Sequence, residues 1–518
     1  MNSKLSFVGV PSKPAAIEGD VVVGKDVLEL FAGAMYADPL SVFREYVQNA
    51  ADAIDEARQQ KLVPNAEADV SIVFDHAARS IRVRDFGAGL ANSLFVKRLT
   101  SIGASKKRGT TARGFRGIGR LSGLGYCQEL IFRSRSEGDK KVKEMKWDGR
   151  ILRERLRDTN FTGSLSDLVR EVAVVTDLPA AEYPSHFFEV ELSKVLRVRN
   201  DILLNEEAVR GYLSEVAPVP FDPKFKLGKE ITEFLEEHGV QEPIRVVLND
   251  KKGQIFHRAK DHFPISPKVL STFTDVKFIK NLDSDGELLS FGWLLDHAYS
   301  GAIARSLRLG GIRLRHKNVQ VGDGDILSSC FTETRFSQWG VGDIHVAHAR
   351  IVPNARRDDF EHTPAHGKLI DEMRQLTREV TQTIRSRSDQ RTKLRKVQFQ
   401  LTYAAQWLEG SESAKSSLMV AAMVDRAAAH VAEAEKALGK LPETAPDYAL
   451  VKEQLERTQD QISKRVRARK KDWSTESSYA AVFAILSSSS KLEAVLPLAE
   501  RVVSAMKSAD SARQALAA

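Results

Sequence analysis

Glu45-Tyr-Val-Gln-Asn-Ala-Ala-Asp52, followed later by Asp85-Phe-Gly-Ala-Gly89, is the stretch that decides the fold of this chain. Glu45, Asn49 and Asp52 are spaced i, i+4 and i+7, which places their side chains on one face of an α-helix. Apolar residues take another face, so the helix alone would be an ordinary amphipathic helix with a solvated polar side. The glycine-rich acidic turn that follows favours an ATP pocket instead.

The composition indicates a soluble globular protein of several domains. With 518 residues the chain should form roughly three domains, because single cores rarely grow beyond about 250 residues. Its two cysteines, Cys127 and Cys330, exclude a disulfide framework and a cysteine zinc site and fit a reducing compartment. The N-terminus lacks an apolar signal core, and no apolar run approaches the roughly 18 residues of a membrane helix. We therefore expect a cytoplasmic protein with no membrane partner.

The net charge of +8 permits contact with nucleic acid without requiring it. Three basic clusters carry much of this charge, and none has aromatic residues interleaved or a zinc-finger pattern. A solvated surface is the preferred interpretation of each, and nucleic-acid binding is the alternative. The clusters are Lys106 to Arg108, Arg305 to Lys317 and Lys464 to Lys471.

Hydrophobic periodicity predicts an α+β chain that ends in a helical region. Helices are expected at 26–37, 39–60 and 230–238, with Asp38-Pro39 breaking the first two. From about Gly367 onward, alanine, glutamate, lysine, arginine and glutamine dominate, as in a helical bundle or coiled coil. Strands are expected at 70–74, 81–84, 130–134, 187–192, 244–247, 311–314 and 344–346, the first two as a hairpin.

Two common nucleotide motifs are absent from the sequence. There is no Gly-x-x-x-x-Gly-Lys-Ser/Thr loop, so the P-loop class can be set aside. Gly114-x-x-Gly117-x-Gly119 differs from the dinucleotide fingerprint and lacks its strand-turn-helix context. Alone, this glycine cluster would be equally well interpreted as a flexible surface loop.

In this order, the motifs resemble those of the GHKL ATPases, and most closely the Hsp90-type chaperones. The segment from Gly24 to Gln60 resembles their paired opening helices, and the turn DFGAGL at 85–90 resembles their Asp-x-Gly-x-Gly motif. Ser101 to Ser105 resembles the start of their lid, and Gly114 to Gly119 its glycine-rich hinge. The resemblance implies a Bergerat-type α/β sandwich that binds ATP and Mg²⁺.

The resemblance assigns the adenine end of the site. Asp85 would accept a hydrogen bond from the adenine amino group, where guanine presents an acceptor. Gly87 and Gly89 would let the backbone approach the base without a β-carbon. Asn49 would offer a neutral oxygen to Mg²⁺, and Asp52 would line the same pocket through water.

The resemblance also assigns the phosphate end. Glu45 would be the general base that orients the attacking water. The backbone around Gly117 and Gly119, together with Ser105 and Gly114, would bind the phosphates.

A basic residue from the next domain completes the site in Hsp90-type ATPases. The loop Val352-Pro-Asn-Ala-Arg-Arg-Asp358 resembles the loop that carries it, with Arg357 aligned best and Arg356 second. A guanidinium suits this role because its donors are fixed in a fork that matches a phosphoryl group. An exposed Arg-Asp pair on a surface loop is the alternative interpretation.

The chain also departs from the family. Ser185-His186-Phe187 stands where Hsp90 nucleotide domains carry a Gly-Thr pair that supports the adenine contact. Three domains are predicted: an ATP-binding domain (1–195), an α/β middle segment (196–366) that is transducer-like, and a helical segment (367–518) for dimerisation or partner binding. The helical segment resembles no chaperone dimerisation domain.

Several functions fit these motifs. The preferred one is an ATP-driven conformational clamp that closes a lid over residues 101 to 119 and acts on a protein client as a homodimer.

 The alternatives are a GHKL ATPase that acts on nucleic acid in repair, restriction or genome defence, and a non-catalytic scaffold that only binds ATP. A histidine kinase is disfavoured, since only about 25 residues precede the first predicted helix and no phosphoacceptor helix fits there.

Overall fold

The structure of the protein is a computed structural model. The predicted helix 26–37, Ser105 and most of the predicted lid between Ser101 and Gly119 lie outside the described residues. Two compact units are present: Met1–His297 with Ala302–Gln375, and Ala298–Gly301 with Leu376–Ala518. The structure describes residues 38–62, 69–102, 112–114, 117, 119–249, 253–266, 269–283, 286–414, 417–443, 445, 447–469, 501–502, 504–505 and 508.

A seven-stranded sheet forms the centre of the N-terminal part of the chain. Its strand order is β5-β4-β3-β6-β2-β1-β7, and β7 pairs with β1 in parallel. The predicted hairpin is confirmed, with Val70 opposite Asp85 and Asp75 opposite Ser80. The strands are β1 (Val70–Asp75), β2 (Ser80–Asp85), β3 (Cys127–Arg135), β4 (Lys141–Asp148), β5 (Ala173–Pro179), β6 (Phe187–Val195) and β7 (Val246–Leu248).

The last strand of this sheet comes from beyond residue 195. The same hydrophobic core also includes Leu213, Val216 and Ile244 from the middle segment. The predicted boundary at 195 stays a prediction, although the sheet and its core draw on residues on both sides of it.

Helix α1 (Ser41–Gln59) is largely buried and supplies the polar face of the site. Its apolar residues Phe43, Val47 and Ala50 belong to the same core as the strands, which fixes the rotation of the helix about its axis. Ahead of the helix, Asp38 accepts a hydrogen bond from the Leu40 amide. The other helices of this domain are α2 (Asn92–Thr100), α3 (Gly149–Arg157) and α4 (Leu165–Val172).

The middle segment contains a five-stranded sheet and two helices. The strand order is β10-β11-β14-β12-β13, in which β12 and β14 are parallel. A two-stranded sheet of β8 and β9 lies apart from it in the topology. The elements are α5 (Glu206–Val216), α6 (Gly228–Glu237), β8 (His262–Ser266), β9 (Val269–Thr272), β10 (Asp275–Leu282), β11 (Leu288–Asp296), β12 (Gly311–His316), β13 (Val319–Val321) and β14 (Val341–Val346).

The described part of the C-terminal region is mainly helical, as the composition predicts. It contains α7 (Pro364–Ser413), α8 (Ser417–Leu438) and α9 (Tyr448–Arg469). Apolar side chains at helical spacing, such as Val397 and Leu401, form the core of the second unit. The α+β fold class is thereby confirmed. Among the described residues, no helix is both long enough and apolar enough to cross a membrane.

Candidate nucleotide-binding site

The three polar residues predicted on α1 share one face of that helix. Asp52 is buried, Asn49 is half-buried, and Glu45 keeps 12% of its side-chain surface exposed. The nearest cation to Glu45 in the helix is Arg44, whose Nη2 lies 3.6 Å from Glu45 Oε1. Carboxylate and amide side chains are rarely buried on a helix face unless a hydrogen-bonding partner lies opposite them.

The glycine turn, residues 85–90, packs against this helix. Asp85 ends β2 with a buried side chain, and its Oδ1 accepts a hydrogen bond from the Gly87 amide at 3.0 Å. The Ala88 amide donates to the Ala53 carbonyl at 3.1 Å. A β-carbon at Gly87 would lie 2.5 Å from the backbone carbon of Ala53, so only glycine lets the turn approach the helix this closely.

Gly89 is required for a second reason. Its φ of +68° is left-handed, and a β-carbon there would lie 2.1 Å from the Arg135 carbonyl oxygen. The neighbouring Leu90 amide donates to Ser134 Oγ at 2.8 Å, and Ser134 Oγ donates to the Phe187 carbonyl at 2.9 Å. The turn is therefore tied to β3 and β6 as well as to α1.

His186 lies beside the same turn, within the Ser185-His186-Phe187 segment that replaces the family's Gly-Thr pair. Its ring is buried, and Nδ1 lies 2.7 Å from the Gly87 carbonyl oxygen. A carbonyl oxygen only accepts, so the proton of this contact is on Nδ1. The departure noted in the sequence thus supplies a hydrogen bond to the glycine turn.

The second glycine-rich region also contacts α1. Asp52 accepts hydrogen bonds from two successive amides, Arg113 to Oδ1 at 2.8 Å and Gly114 to Oδ2 at 3.2 Å. A β-carbon at Gly114 would lie 2.8 Å from Gln48 Nε2 and 3.1 Å from Asn49 Oδ1. We call residues 112–114 the anchor peptide, because Asp52 holds it against the polar face of the helix.

Gly119 lies against the predicted general base. A β-carbon at this position would come within 2.1 Å of Glu45 Oε2. Gly117 has a left-handed φ of +71°, a conformation that favours glycine. Gly114 and Gly119 are thus brought onto the polar face of α1, at Asp52 and at Glu45, whereas Ser105 lies outside the described residues.

The two predicted arginines of the middle segment occupy different positions. Arg357 is buried, and its Nη2 donates to the Arg113 carbonyl at 2.5 Å. The side chain of Arg356 is 57% exposed and lies 3.2 Å from Asp358 Oδ2. Only the backbone of Arg356 reaches toward α1, where its carbonyl accepts a hydrogen bond from Arg44 Nη2 at 2.9 Å. Arg357 is therefore the arginine at the anchor peptide.

Sequence reasoning missed three cations of this region: one that contacts the anchor peptide, one within it, and one that contacts Ser101. Lys317 Nζ donates to the Ala112 carbonyl at 2.8 Å, and the buried Arg113 forms an ion pair with Asp55. Arg120 donates to the Ser101 carbonyl at 2.5 Å, and burial lowers its pKa to about 10. The Lys317-Asn318 pair between two β-rich runs could have indicated a hairpin turn, but nothing local points to the distant partner of Lys317.

Comparison with known proteins identifies the domain that carries this site. The sequence profile of the histidine kinase-, DNA gyrase B- and HSP90-like ATPase family matches residues 38–159. These residues form a GHKL/Hsp90-like ATPase domain. The resemblance predicted from the motifs is confirmed for this part of the chain.

The GHKL/Hsp90-like ATPase domain also has similarity to bacterial proteins named chaperone protein HtpG. The relative from Polaromonas naphthalenivorans is 26% identical over 139 residues, which are 23% of this chain and 22% of that protein. The relative from Coxiella burnetii is 26% identical over 142 residues, 24% of this chain and 22% of the relative. The relative from Burkholderia ambifaria is 27% identical over 142 residues, again 24% of this chain and 22% of the relative. The chain thus matches 22% of the length of these relatives.

The residues of the GHKL/Hsp90-like ATPase domain fit a nucleotide with Mg²⁺. Gln48 Oε1 is buried and has no hydrogen-bond partner among the described residues, so the polar face offers an unused acceptor. Asn49 and the carboxylates of Glu45 and Asp52 give the oxygen donors that Mg²⁺ prefers. Glycines at the close approaches leave room that any β-carbon would fill. When bound, Mg²⁺ would neutralise phosphate charge, with Asn49 as the residue that holds it.

Proposed function

We propose that this protein hydrolyses Mg-ATP and that the reaction drives a conformational change in the manner of Hsp90-type ATPases. One observation carries the proposal: the anchor peptide joins Asp52 of the ATPase domain to Arg357 of the middle segment. Asp52 accepts its amides, and Arg357 donates to its Arg113 carbonyl. A change at the nucleotide would thus be transmitted directly to a second part of the chain.

The adenine end of the site would be formed by the glycine turn. Asp85 is buried, and its Oδ1 already orients the turn through the Gly87 amide. A buried carboxylate discriminates between bases because a mismatched acceptor would leave it unpaired. Gly87 and Gly89 would let the backbone lie against the base.

The phosphate end would be formed by Gly114, Gly117 and Gly119 with Arg357. Backbone amides in glycine-rich turns bind phosphate oxygens without desolvating a charged side chain. The Arg357 guanidinium lies at the anchor peptide, whereas the Arg356 side chain is paired with Asp358 on the surface. We assign the γ-phosphate contact to Arg357 on this basis.

Glu45 would act as the general base. It would accept a proton from a water molecule as the water oxygen bonds to the γ-phosphorus, and the bond from that phosphorus to the β–γ bridging oxygen breaks. The products are ADP and inorganic phosphate. The contact of Gly119 with the Glu45 carboxylate supports this role, because it restricts where the carboxylate can lie.

The macromolecule acted on would be a protein client, and the working form a homodimer. The support is the name of the relatives, chaperone protein HtpG, and the helical segment that follows the middle segment. We infer both Mg²⁺ binding and client binding by this chain from its similarity to these relatives.

A nucleic-acid partner is less well supported. In the cluster Arg305 to Lys317, Arg308 and Arg313 pair with Glu215, and Arg315 is buried against Asp343. These guanidinium groups already have carboxylate partners, so they would add little to phosphate binding. The cluster at 106–108 lies outside the described residues.

The experiment that tests the proposal is steady-state ATP hydrolysis by the wild type and by Glu45→Ala, with nucleotide binding measured on both. Glu56→Ala is the matched control, since Glu56 is an exposed carboxylate on the same helix. We expect turnover to vanish in Glu45→Ala while binding persists, and the control to behave as the wild type. Binding without turnover by the wild type would favour the scaffold, DNA-stimulated turnover the nucleic-acid alternative, and no nucleotide binding would refute the proposal.

A further inference from the structure

We propose that Lys317 is a positioning residue for the nucleotide site: it fixes the anchor peptide against Asp52 from the middle segment. The inference rests on the proposed function for its consequence, because the anchor peptide matters only if the site binds nucleotide. Its structural part stands on the contacts of Lys317 alone. Lys317 Nζ donates to the Ala112 carbonyl at 2.8 Å, across 205 positions of sequence.

The backbone of Lys317 adopts a conformation that lysine disfavours. Lys317 and Asn318 form the two-residue turn between β12 and β13, with His316 paired to Val319. Their φ angles are +51° and +62°, as in a type I′ turn, where asparagine and glycine are preferred. A lysine held in this region indicates a constraint other than hairpin stability.

Both sides of the anchor peptide are held by charged groups. Asp52 accepts the amides of Arg113 and Gly114, and Lys317 donates to the carbonyl of Ala112. The peptide is therefore fixed between a carboxylate of α1 and an ammonium of the middle segment. Charge-assisted hydrogen bonds of this kind are stronger than neutral ones.

A buried network fixes the turn that carries Lys317. Arg315, on β12, donates through Nη1 to the Asn318 carbonyl at 3.2 Å and through Nε to Asp343 Oδ2 at 2.6 Å. It also donates through Nη2 to the Glu215 carbonyl at 2.6 Å. The network joins α5, β14 and the turn, so the ammonium is presented from a rigid support.

Electrostatics agrees with this placement. Burial is the largest cause that lowers the pKa of Lys317; Asp52 raises it, and Arg357 and Arg113 lower it. Burial, followed by the positive charges of Arg357 and Lys317, lowers the pKa of His316 to about 3. His316 is therefore uncharged near neutral pH, although Arg357 and Lys317 lie close to it. Lys317 interacts electrostatically with Asp52, Arg357 and Arg113, the charged residues at the anchor peptide.

The first test is amide hydrogen exchange at Arg113 and Gly114 in nucleotide-free protein. Lys317→Gly and Lys317→Asn remove the ammonium and place a favoured residue in the turn, so neither should weaken the hairpin. We expect exchange at both amides to be about tenfold faster in these variants, as loss of a charge-assisted hydrogen bond implies. Lys317→Arg should restore much of the protection, and unchanged exchange would overturn the inference.

Lys194→Gly is the matched control. Lys194 has the same left-handed conformation, with φ of +54°, and its side chain is 56% exposed. This variant should leave exchange at the anchor peptide as it is in the wild type. Faster exchange in Lys194→Gly would show that a glycine substitution by itself speeds exchange at the anchor peptide. That result would count against a role for the Lys317 ammonium.

The second test is the Kd of ATP and of ADP, measured with the thermal midpoint Tm. We expect both Kd values to rise together about five- to tenfold in Lys317→Gly, by the same loss of one hydrogen bond, with no fall in Tm. A loss confined to ATP would mean a direct γ-phosphate contact, and a fall in Tm matching the loss of binding would mean a purely structural role; each overturns the inference. No ATP binding by the wild type refutes the proposed function, while the exchange test remains decisive for Lys317.

Discussion

The backbone of Gly119 lies against the carboxylate of Glu45, close enough that a β-carbon at 119 would come within 2.1 Å of Glu45 Oε2. The atom it would meet is the end of a flexible side chain, which can move without disturbing the fold. The two residues are far apart in sequence, yet the position of one limits that of the other. A methyl group at 119 therefore acts on the chemistry more than on stability.

We expect Gly119→Ala to lower kcat for ATP hydrolysis by about 10²-fold, because a 1 Å displacement of a catalytic group has an effect of that size. The Tm should change little, since Glu45 can swing away from the new methyl group. Steady-state kinetics and a thermal melt on the same sample check both parts. A variant with wild-type kcat would mean that the position of Glu45 does not limit the reaction.

Gly89→Ala provides the contrast. Its β-carbon would lie 2.1 Å from the Arg135 carbonyl oxygen, and its φ is +68°. The Arg135 backbone cannot move aside as a flexible side chain can. We therefore expect Gly89→Ala to lower the free energy of unfolding by about 1–3 kcal/mol. Urea denaturation measures this loss of stability. Comparing Gly119→Ala with Gly89→Ala separates an effect on the reaction from an effect on folding.

Arg357 and Arg356 should differ sharply despite being neighbours. Arg357→Ala removes a buried guanidinium at the anchor peptide, and we expect kcat to fall about 10²–10³-fold, as for loss of one transition-state donor. Arg356→Ala removes an exposed side chain paired with Asp358 and leaves its carbonyl contact to Arg44 intact, so kcat should fall less than about twofold. Equal losses in the two variants would contradict the assignment.

The parts of the site that local spacing determines could be predicted from the sequence. Glu45, Asn49 and Asp52 share a helix face because 3.6 residues make a turn, and the Gly87 and Gly89 turn follows a β-rich run. These elements need no knowledge of distant contacts. Their relation to a known family then supplied the chemistry.

The remaining parts depend on contacts between distant residues. The cluster that ends at Lys317 was interpreted as a solvated face, whereas Arg313 is buried against Glu215 and Arg315 against Asp343. These carboxylates come from other elements of the middle segment, and no local pattern links them to β12. Lys317 was missed for the same reason, since its acceptor lies 205 positions away in the sequence.

His186 should position the glycine turn by donating from Nδ1 to the Gly87 carbonyl. His186→Ala removes this hydrogen bond, and we expect the Kd for ATP to rise about five- to tenfold. Asparagine places its amide nitrogen near the position of Nδ1, whereas glutamine places its nitrogen near Nε2. His186→Asn should therefore retain affinity and His186→Gln should not, as isothermal titration calorimetry would show; the reverse order would place the important contact on Nε2.

The stability of the middle segment should depend on pH through three buried histidines. Burial is the largest cause that lowers the pKa of His257, His316 and His345, each from 6.5 to about 3. Between these values the unfolded chain binds protons that the folded chain does not, so the free energy of unfolding falls as the pH falls. Each histidine contributes about 1.4 kcal/mol per pH unit once the pH is well below 6.5.

Urea denaturation from about pH 6 to about pH 4 measures this slope. His316→Asn removes one of the three groups, and we expect it to reduce the histidine contribution to the slope by about one third. His76→Asn is the control, because His76 is 59% exposed. Carboxylates also titrate toward the acid end of this range, but they are common to all the variants and cancel in the difference. A slope that His316→Asn leaves unchanged would mean that this histidine is already protonated in the folded protein.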